Sequence, residues 1–156
     1  MLIVLVATIL FLLPYTREVE NYSANDVQWE LFHENERYKS FDKAHFKFME
    51  KFTVSDKLYE LSGKDISIKG FLHIDKIGKD SIFLLTENRL EVCAFCSHDE
   101  LANLIVLNID KENHPAKFGI AEDDFIVVTG EFLVKEEVHM PPFRIQKITN
   151  FKKIEN

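Results

Sequence analysis

The chain has 156 residues, which is the size of one domain, and 46% of them are hydrophobic, enough to build a buried core. Its 19 basic and 26 acidic residues give a net charge of −7. Because neutralisation of phosphates supplies most of the affinity of nucleic-acid binders, this balance disfavours DNA, RNA and anionic membrane surfaces as partners.

The chain begins with a continuous apolar run, MLIVLVATILFLL. It is shorter than the roughly 20 residues of a membrane-spanning helix, and its length suits the apolar core of a secretory signal. Because it has no polar face, it is unlike a buried helix of a globular domain. No basic residue precedes it and no A-x-A-like cleavage site follows it, so a cleaved signal peptide and an uncleaved signal-anchor both stay open. We expect residues 1–24 to be this signal with a linker, and the protein to be periplasmic or tethered to the inner membrane through this segment only.

Residues 25–62 are predicted to form an N-terminal helical segment. Aromatic residues and one histidine recur there at spacings of four, three and four, which is one face of a helix: Phe41, His45, Phe48 and Phe52. A second, short helix is expected from Ser55, as its N-cap, to Leu61, with Gly63 as a left-handed stop. Trp29, Leu31 and Phe32 form a separate apolar knot.

Residues 63–156 change to a period of two and are predicted to form a β-domain. The expected strands are ISIKGFLHI, SIFLLTE, NLIVLNID, DFIVVTGEFLV and FRIQKITNFKKI, with a loop and a short helical turn over residues 111–124. The first and fourth strands each carry a glycine, Gly70 and Gly130, where a strand can bend or bulge. This order predicts a mainly β protein (α+β overall) with a five-stranded OB-like barrel. Another small antiparallel barrel or a sandwich fragment is the alternative.

Both cysteines lie in the segment EVCAFCSHDE, which holds Cys93, Cys96 and His98 within six residues. A zinc or copper site would need ligands from elsewhere, because there is no second C-x-x-C pair. A catalytic dithiol is disfavoured, since the βαβ setting and helix N-terminus of such sites are not predicted here. A local disulfide between Cys93 and Cys96, or two packed thiols, are the remaining alternatives.

The chain lacks G-x-S-x-G, H-E-x-x-H, phosphate-loop and dinucleotide-binding motifs, so no catalytic residue is assigned and no enzymatic activity is expected. Aromatic residues on an OB face can stack bases or sugars, and Phe71, Phe83 and Phe132 are candidates. Core packing is the commoner use of phenylalanine. The ligand-binding face therefore stays unknown from the sequence.

Several strings carry a resemblance to a known family: Trp29 with Phe32, LSGKDISIKGF, CAFC, LIVLN and IVVTG. Over residues 27–150 the chain resembles a family of uncharacterised exported bacterial proteins of the Bacteroidetes type, with an OB-like domain of unknown function and a C-x-F-C turn. The resemblance implies a fold and a compartment but no reaction.

These observations predict a non-catalytic binding or accessory module of the bacterial cell envelope, whose partner is an envelope protein or a small ligand. The alternative is a metal-binding protein that holds Zn or Cu through Cys93, Cys96 and His98. A thiol-disulfide redox protein and a nucleic-acid-binding OB domain are less favoured.

Overall fold

A computed structural model describes residues 26–44, 46–77, 79–90, 103–135 and 140–155. The strands are β1 (Glu36–Asp42), β2 (Lys47–Thr53), β3 (Asp65–Ile77), β4 (Asp80–Thr86), β5 (Ile105–Leu107), β6 (Phe125–Val134) and β7 (Phe143–Lys153). One α-helix, α1 (Asp56–Leu61), and two 3-10 helices, Trp29–Leu31 and Pro115–Phe118, complete the described elements. No helix within these ranges is long and apolar enough to cross a membrane.

Five strands close into a barrel in the order β3-β4-β5-β7-β6. All neighbours are antiparallel except β5 and β7. The first half of β3 pairs with β6 and its second half pairs with β4, so that Phe71 faces a partner on each side. The prediction of a mainly β protein with a five-stranded barrel is confirmed by this closed barrel.

The barrel interior is filled by the alternating apolar side chains that the sequence places on one face of each strand. Ile66, Ile68 and Leu72 of β3 are completely buried in one continuous core. The same core takes in Phe132 of β6 and Phe143 of β7. Fully burying one such side chain is worth about 1.5–3 kcal/mol, so this face specifies the register of the strands.

Gly130 lies at an irregularity in the pairing of β6 with β7, between Thr129 and Glu131. On β7 the extra residues include Lys147, whose φ of 48° is left-handed. The bulge moves Ile148 into the core while the Lys147 side chain points outward and binds Glu131 at 3.0 Å. This explains why the apolar residues of β7 do not keep a period of two after Ile145.

The helix predicted over Phe41 to Phe52 is wrong, because β1 and β2 form a separate two-stranded antiparallel sheet there. Phe41 and Phe48 lie opposite each other across this hairpin. A spacing of four, as between Phe48 and Phe52, is one turn of a helix but also a multiple of the strand period. The turn residues decide the outcome, since the backbone N–H of Ala44 donates to Oδ1 of Asp42 at 2.9 Å and reverses the chain.

The prediction of a short helix before the barrel is confirmed by α1, with Ser55 at its N-cap and Gly63 at a φ of 84° just after its end. The apolar knot at Trp29 and Phe32 belongs to the barrel and is not separate from it. The Phe32 ring is completely buried, 5.0 Å from Phe143 and 6.0 Å from Phe132 between ring centres. Residues 26–35 therefore close one end of the barrel.

Candidate functional site

The predicted site residues Cys93, Cys96 and His98 lie in residues 91–102, outside the described residues. Metal binding, a disulfide, redox chemistry and simple packing of the thiols all stay predictions. The described residues on either side of this segment, Leu90 and Asn103, line the same cavity.

This cavity, which we call the Arg89 cavity, has a volume of about 160 Å³. Its lining comprises Thr86, Glu87, Asn88, Arg89, Leu90, Asn103 and Leu104. The hydroxyl of Thr86 donates to the carbonyl oxygen of Asn88 at 2.7 Å and shapes the turn after β4. The described residues that flank the cysteine segment, Leu90 and Asn103, therefore both lie beside the turn that follows β4.

A second hollow, which we call the Trp29 cleft, adjoins the first through Glu87 and has a volume of about 290 Å³. It is lined by Val27, Gln28, Trp29, Glu30, Lys69, Glu87 and Phe125. Lys69 and Phe125 come from paired barrel strands, whereas Val27 to Glu30 come from the segment before the first hairpin.

The part of β3 that precedes Phe71 has no partner among the described strands on the side where β4 pairs later, and the Trp29 cleft lies at this edge. The N-terminal segment covers this edge: the backbone N–H of Val27 donates to Ser67 O at 2.9 Å, and the indole N–H of Trp29 donates to Lys69 O at 2.6 Å. Both carbonyl groups would otherwise be unsatisfied in a half-buried place, which costs about 1–3 kcal/mol each. These bonds hold the cleft wall in a fixed position.

An aromatic platform continues the floor of the Trp29 cleft toward the Arg89 cavity. The half-buried rings of Phe125 and Phe71 lie 4.9 Å apart, and the guanidinium of Arg89 lies 5.2 Å above the centre of the Phe71 ring. Such a row of π-faces with a cation at its end can stack a flat or apolar ligand group.

Charges of both signs surround this platform. An N–H of the His33 ring donates to the Glu87 carboxylate, with Nε2 2.7 Å from Oε2, and Lys69 lines the same cleft as Glu87. The pKa of Asp124 is held below its usual value first by the backbone N–H of Ala121 and then by Lys153, whose Nζ lies 2.7 Å from its carboxylate. The site therefore offers a mixed electrostatic surface and not the basic one that nucleic acids need.

Within the described ranges, no group of three His, Cys, Asp or Glu side chains is positioned to hold a metal ion. His114 accepts a hydrogen bond from the backbone of Ala116 and its ring contacts Phe83. His73 is buried on the outer side of β3, with ring nitrogens 3.8 Å from Asp75 and 3.5 Å from Glu122. His45 and His139 lie outside the described residues.

Of the three phenylalanines considered for ligand stacking, only Phe71 lies on the barrel surface. Phe132 is fully buried and Phe83 nearly so, both in the main core. Sequence reasoning missed the Trp29 cleft and the position of Arg89. The one signal for them was the second face of β3, on which Lys69 and Phe71 alternate with the core residues.

No model of a known protein family matches the chain, and no curated protein matches it. Among solved structures, the chain is similar to a DUF3299 family protein from Pseudomonas aeruginosa PAO1, determined by crystallography at 2.45 Å. The similarity covers 68% of this chain and 69% of that protein, with 13% sequence identity and a TM-score of 0.43.

Proposed function

We propose that the protein is a non-catalytic binding module of the bacterial cell envelope that holds a small ligand, or the end of a peptide, in the Trp29 cleft. The observation that carries this proposal is the cleft together with its aromatic platform, which joins a preformed hollow to two half-buried rings.

The size of the cleft limits the ligand. Its volume of about 290 Å³ lies at the lower end of the range of ligand pockets, about 300–1,000 Å³, so it suits one amino-acid residue or a compound of that size. Its walls are held by hydrogen bonds from the backbone of Val27 and the side chain of Trp29 to β3, so little ordering is needed upon binding.

The charges of the cleft favour a ligand that carries both signs. Lys69 can bind a carboxylate, and Glu30 and Glu87 can bind an amine, while Phe125 offers an apolar contact. An aromatic amino acid or an aromatic residue at a peptide end has all three features.

The test is a titration of the ¹⁵N-labelled full chain with L-phenylalanine and with the tripeptide Gly-Phe-Gly, followed by NMR. We expect concentration-dependent shifts of the amide signals of Val27, Lys69 and Glu87, and we expect Lys69→Glu to reduce the affinity about tenfold. The control is Lys111→Glu, which changes an exposed lysine that is not among the residues lining the cleft. Shifts that are scattered over the barrel, or that Lys69→Glu leaves unchanged, would refute this site.

The assignment to the envelope is supported by the apolar run of residues 1–13 and by the resemblance of residues 27–150 to exported bacterial proteins. Fractionation of the native cells, with intact-mass measurement of the purified protein, tests it. Recovery of the uncleaved chain from the cytoplasm would rule out this part of the proposal.

The alternative function is the binding of Zn or Cu through Cys93, Cys96 and His98. It is supported by three soft ligands within six residues, in a segment whose flanking residues both line the Arg89 cavity. Stoichiometric metal in protein purified without a tag would favour this function over ligand binding in the cleft.

A further inference from the structure

The tip of the hairpin formed by β1 and β2 is the most apolar exposed surface of the described chain. Six large hydrophobic side chains are exposed in that part of the chain, and four of them belong to this hairpin: Tyr38, Phe41, Phe46 and Phe48. Phe46 is 86% exposed and Phe48 is 70% exposed. We call residues 41–48 the hairpin tip.

The rings of the hairpin tip form one cluster. Phe41 and Phe48 are direct partners across the hairpin with ring centres 5.2 Å apart, and the Phe46 ring lies 5.8 Å from Phe41. The rings contact one another edge to face and remain open to solvent. Exposed apolar clusters of this kind mark contact sites, because water contact with adjoining rings is unfavourable.

The base of the hairpin is fixed to the barrel. Asn35 accepts a hydrogen bond from the backbone N–H of Ser55 at 3.1 Å and donates one to Phe32 O at 2.7 Å. Phe52 packs on the outer side of the barrel against a small cluster that includes Leu84 and Val106. Phe48 lies four positions before Phe52, and at about 3.3 Å per strand residue the tip stands about 13 Å farther out along β2.

The hairpin also concentrates basic charge. Residues 36–53 contain five basic and three acidic residues, a net charge of +2, in a chain whose total is −7. Of the basic residues, Lys39, Lys43 and Lys51 are exposed, and Lys43 lies in the turn itself. The remainder of the chain thus carries −9.

We propose that the hairpin tip docks on an anionic lipid surface, with Phe41, Phe46 and Phe48 inserted at the level of the headgroups and the lysines beside them. Aromatic rings are favourable at this depth, and each basic residue near an anionic leaflet adds attraction. The net charge of the whole chain does not oppose this contact, because electrostatic effects decay over about 8–10 Å at physiological ionic strength and the tip is the part that comes close.

This proposal is independent of ligand binding in the Trp29 cleft and of how residues 1–24 meet the membrane. The charge pattern favours lipid over a second copy of the chain, since two tips would bring like charges together. Self-association is therefore an outcome that would overturn the proposal.

The test uses Phe46→Trp in the full chain, because the chain has one native tryptophan, Trp29, which is buried and gives a constant background. The probe is vesicles of phosphatidylglycerol and phosphatidylcholine, with and without brominated acyl chains, and pure phosphatidylcholine vesicles for comparison. We expect a blue shift and quenching of the added tryptophan on anionic vesicles, and at least a severalfold loss of quenching at 0.5 M salt.

Phe118→Trp is the matched control, because Phe118 is 50% exposed but lies in the second 3-10 helix. It should show neither effect, even where residues 1–24 hold the chain on the vesicle. When Lys43→Glu is added to Phe46→Trp, the lipid concentration needed for half-maximal quenching should rise about tenfold or more, because the change reverses a charge at the contact. Equal quenching at positions 46 and 118, no quenching at either, or a blue shift that grows with protein concentration without lipid would each overturn the proposal.

Discussion

Gly70 is the position where one added methyl group tests both the barrel and the Trp29 cleft. A Cβ placed on Gly70 would lie 2.5 Å from the carbonyl oxygen of Thr86, 3.0 Å from Leu85 Cγ and 3.1 Å from Trp29 Cζ2. The carbonyl would have to retreat by about 0.9 Å to reach 3.4 Å, an ordinary contact distance. This oxygen belongs to the backbone where β3 pairs with β4, so the clash cannot be relieved by rotating a side chain.

We therefore expect Gly70→Ala to lower the free energy of unfolding by about 3 kcal/mol, at the upper end of the cost of overpacking. For a chain of this size that corresponds to a fall in Tm of roughly 9 °C. Guanidinium denaturation followed by Trp29 fluorescence measures the cost. The native emission should also shift, because the added methyl group displaces the indole ring that lines the cleft.

Gly63→Ala is the control, since Gly63 has a φ of 84° and nothing within 4 Å of the added Cβ. It should cost only the conformational penalty of about 1 kcal/mol and leave the native emission of Trp29 unchanged. Shortening Leu85 to alanine in the Gly70→Ala chain should not restore stability, because the closest contact is with the backbone. If Gly70→Ala costs no more than Gly63→Ala, the close approach of β4 to Gly70 is refuted.

Three further predictions concern the core, a carboxylate and the cysteine segment. Phe32→Ala should lower the free energy of unfolding in urea by about 3–5 kcal/mol, because it leaves a cavity where the Phe32 ring packs against Phe132 and Phe143. The pKa of Asp124 is lowered, so its stabilising effect is present above its ordinary value of 3.8 and is lost as the pH falls through the lower folded value. Asp124→Asn should accordingly cost about 1 kcal/mol at pH 7 and progressively less as the pH falls below 3.8, while Glu112→Gln costs nothing over the same range. Elemental analysis of the native protein should find bound metal that is lost in His98→Ala, or else thiol titration should find two fewer free thiols than in the reduced chain. Metal-free protein with both thiols reactive would exclude both the metal site and the disulfide.

The barrel could be predicted from the sequence because its information is local. In β3, β4 and β6 the side chains that fill the main core recur at every second position, as Phe83 and Leu85 do while Leu84 joins a second cluster, and turning the wrong face inward would cost several kcal/mol. Gly130 was a local signal for the bulge as well, because a strand residue without a side chain lets the backbone of β7 approach closely.

The hairpin could not be predicted from periodicity, because a spacing of four residues is compatible with a helix and with a strand. The reversal at Asp42 to Ala44 carries the deciding information, and it is a short polar turn without glycine or proline. The Trp29 cleft was out of reach for another reason: Trp29, Lys69 and Phe125 are far apart in the sequence and meet only when the barrel closes.

A substitution of Phe46 tests the stability of the fold and the proposed membrane contact independently. Its φ of 52° places a bulky residue in the left-handed region, and its ring is 86% exposed, so the folded chain gains little from the ring in return for the backbone cost. Phe46→Gly should therefore leave the stability unchanged or raise it by up to about 1 kcal/mol, because glycine adopts this conformation without strain. The same change should weaken binding of the tip to anionic vesicles about tenfold, since it removes the most exposed ring of the cluster. A loss of stability in Phe46→Gly would show that the ring stabilises the folded hairpin. Unchanged vesicle binding would show that the tip does not insert.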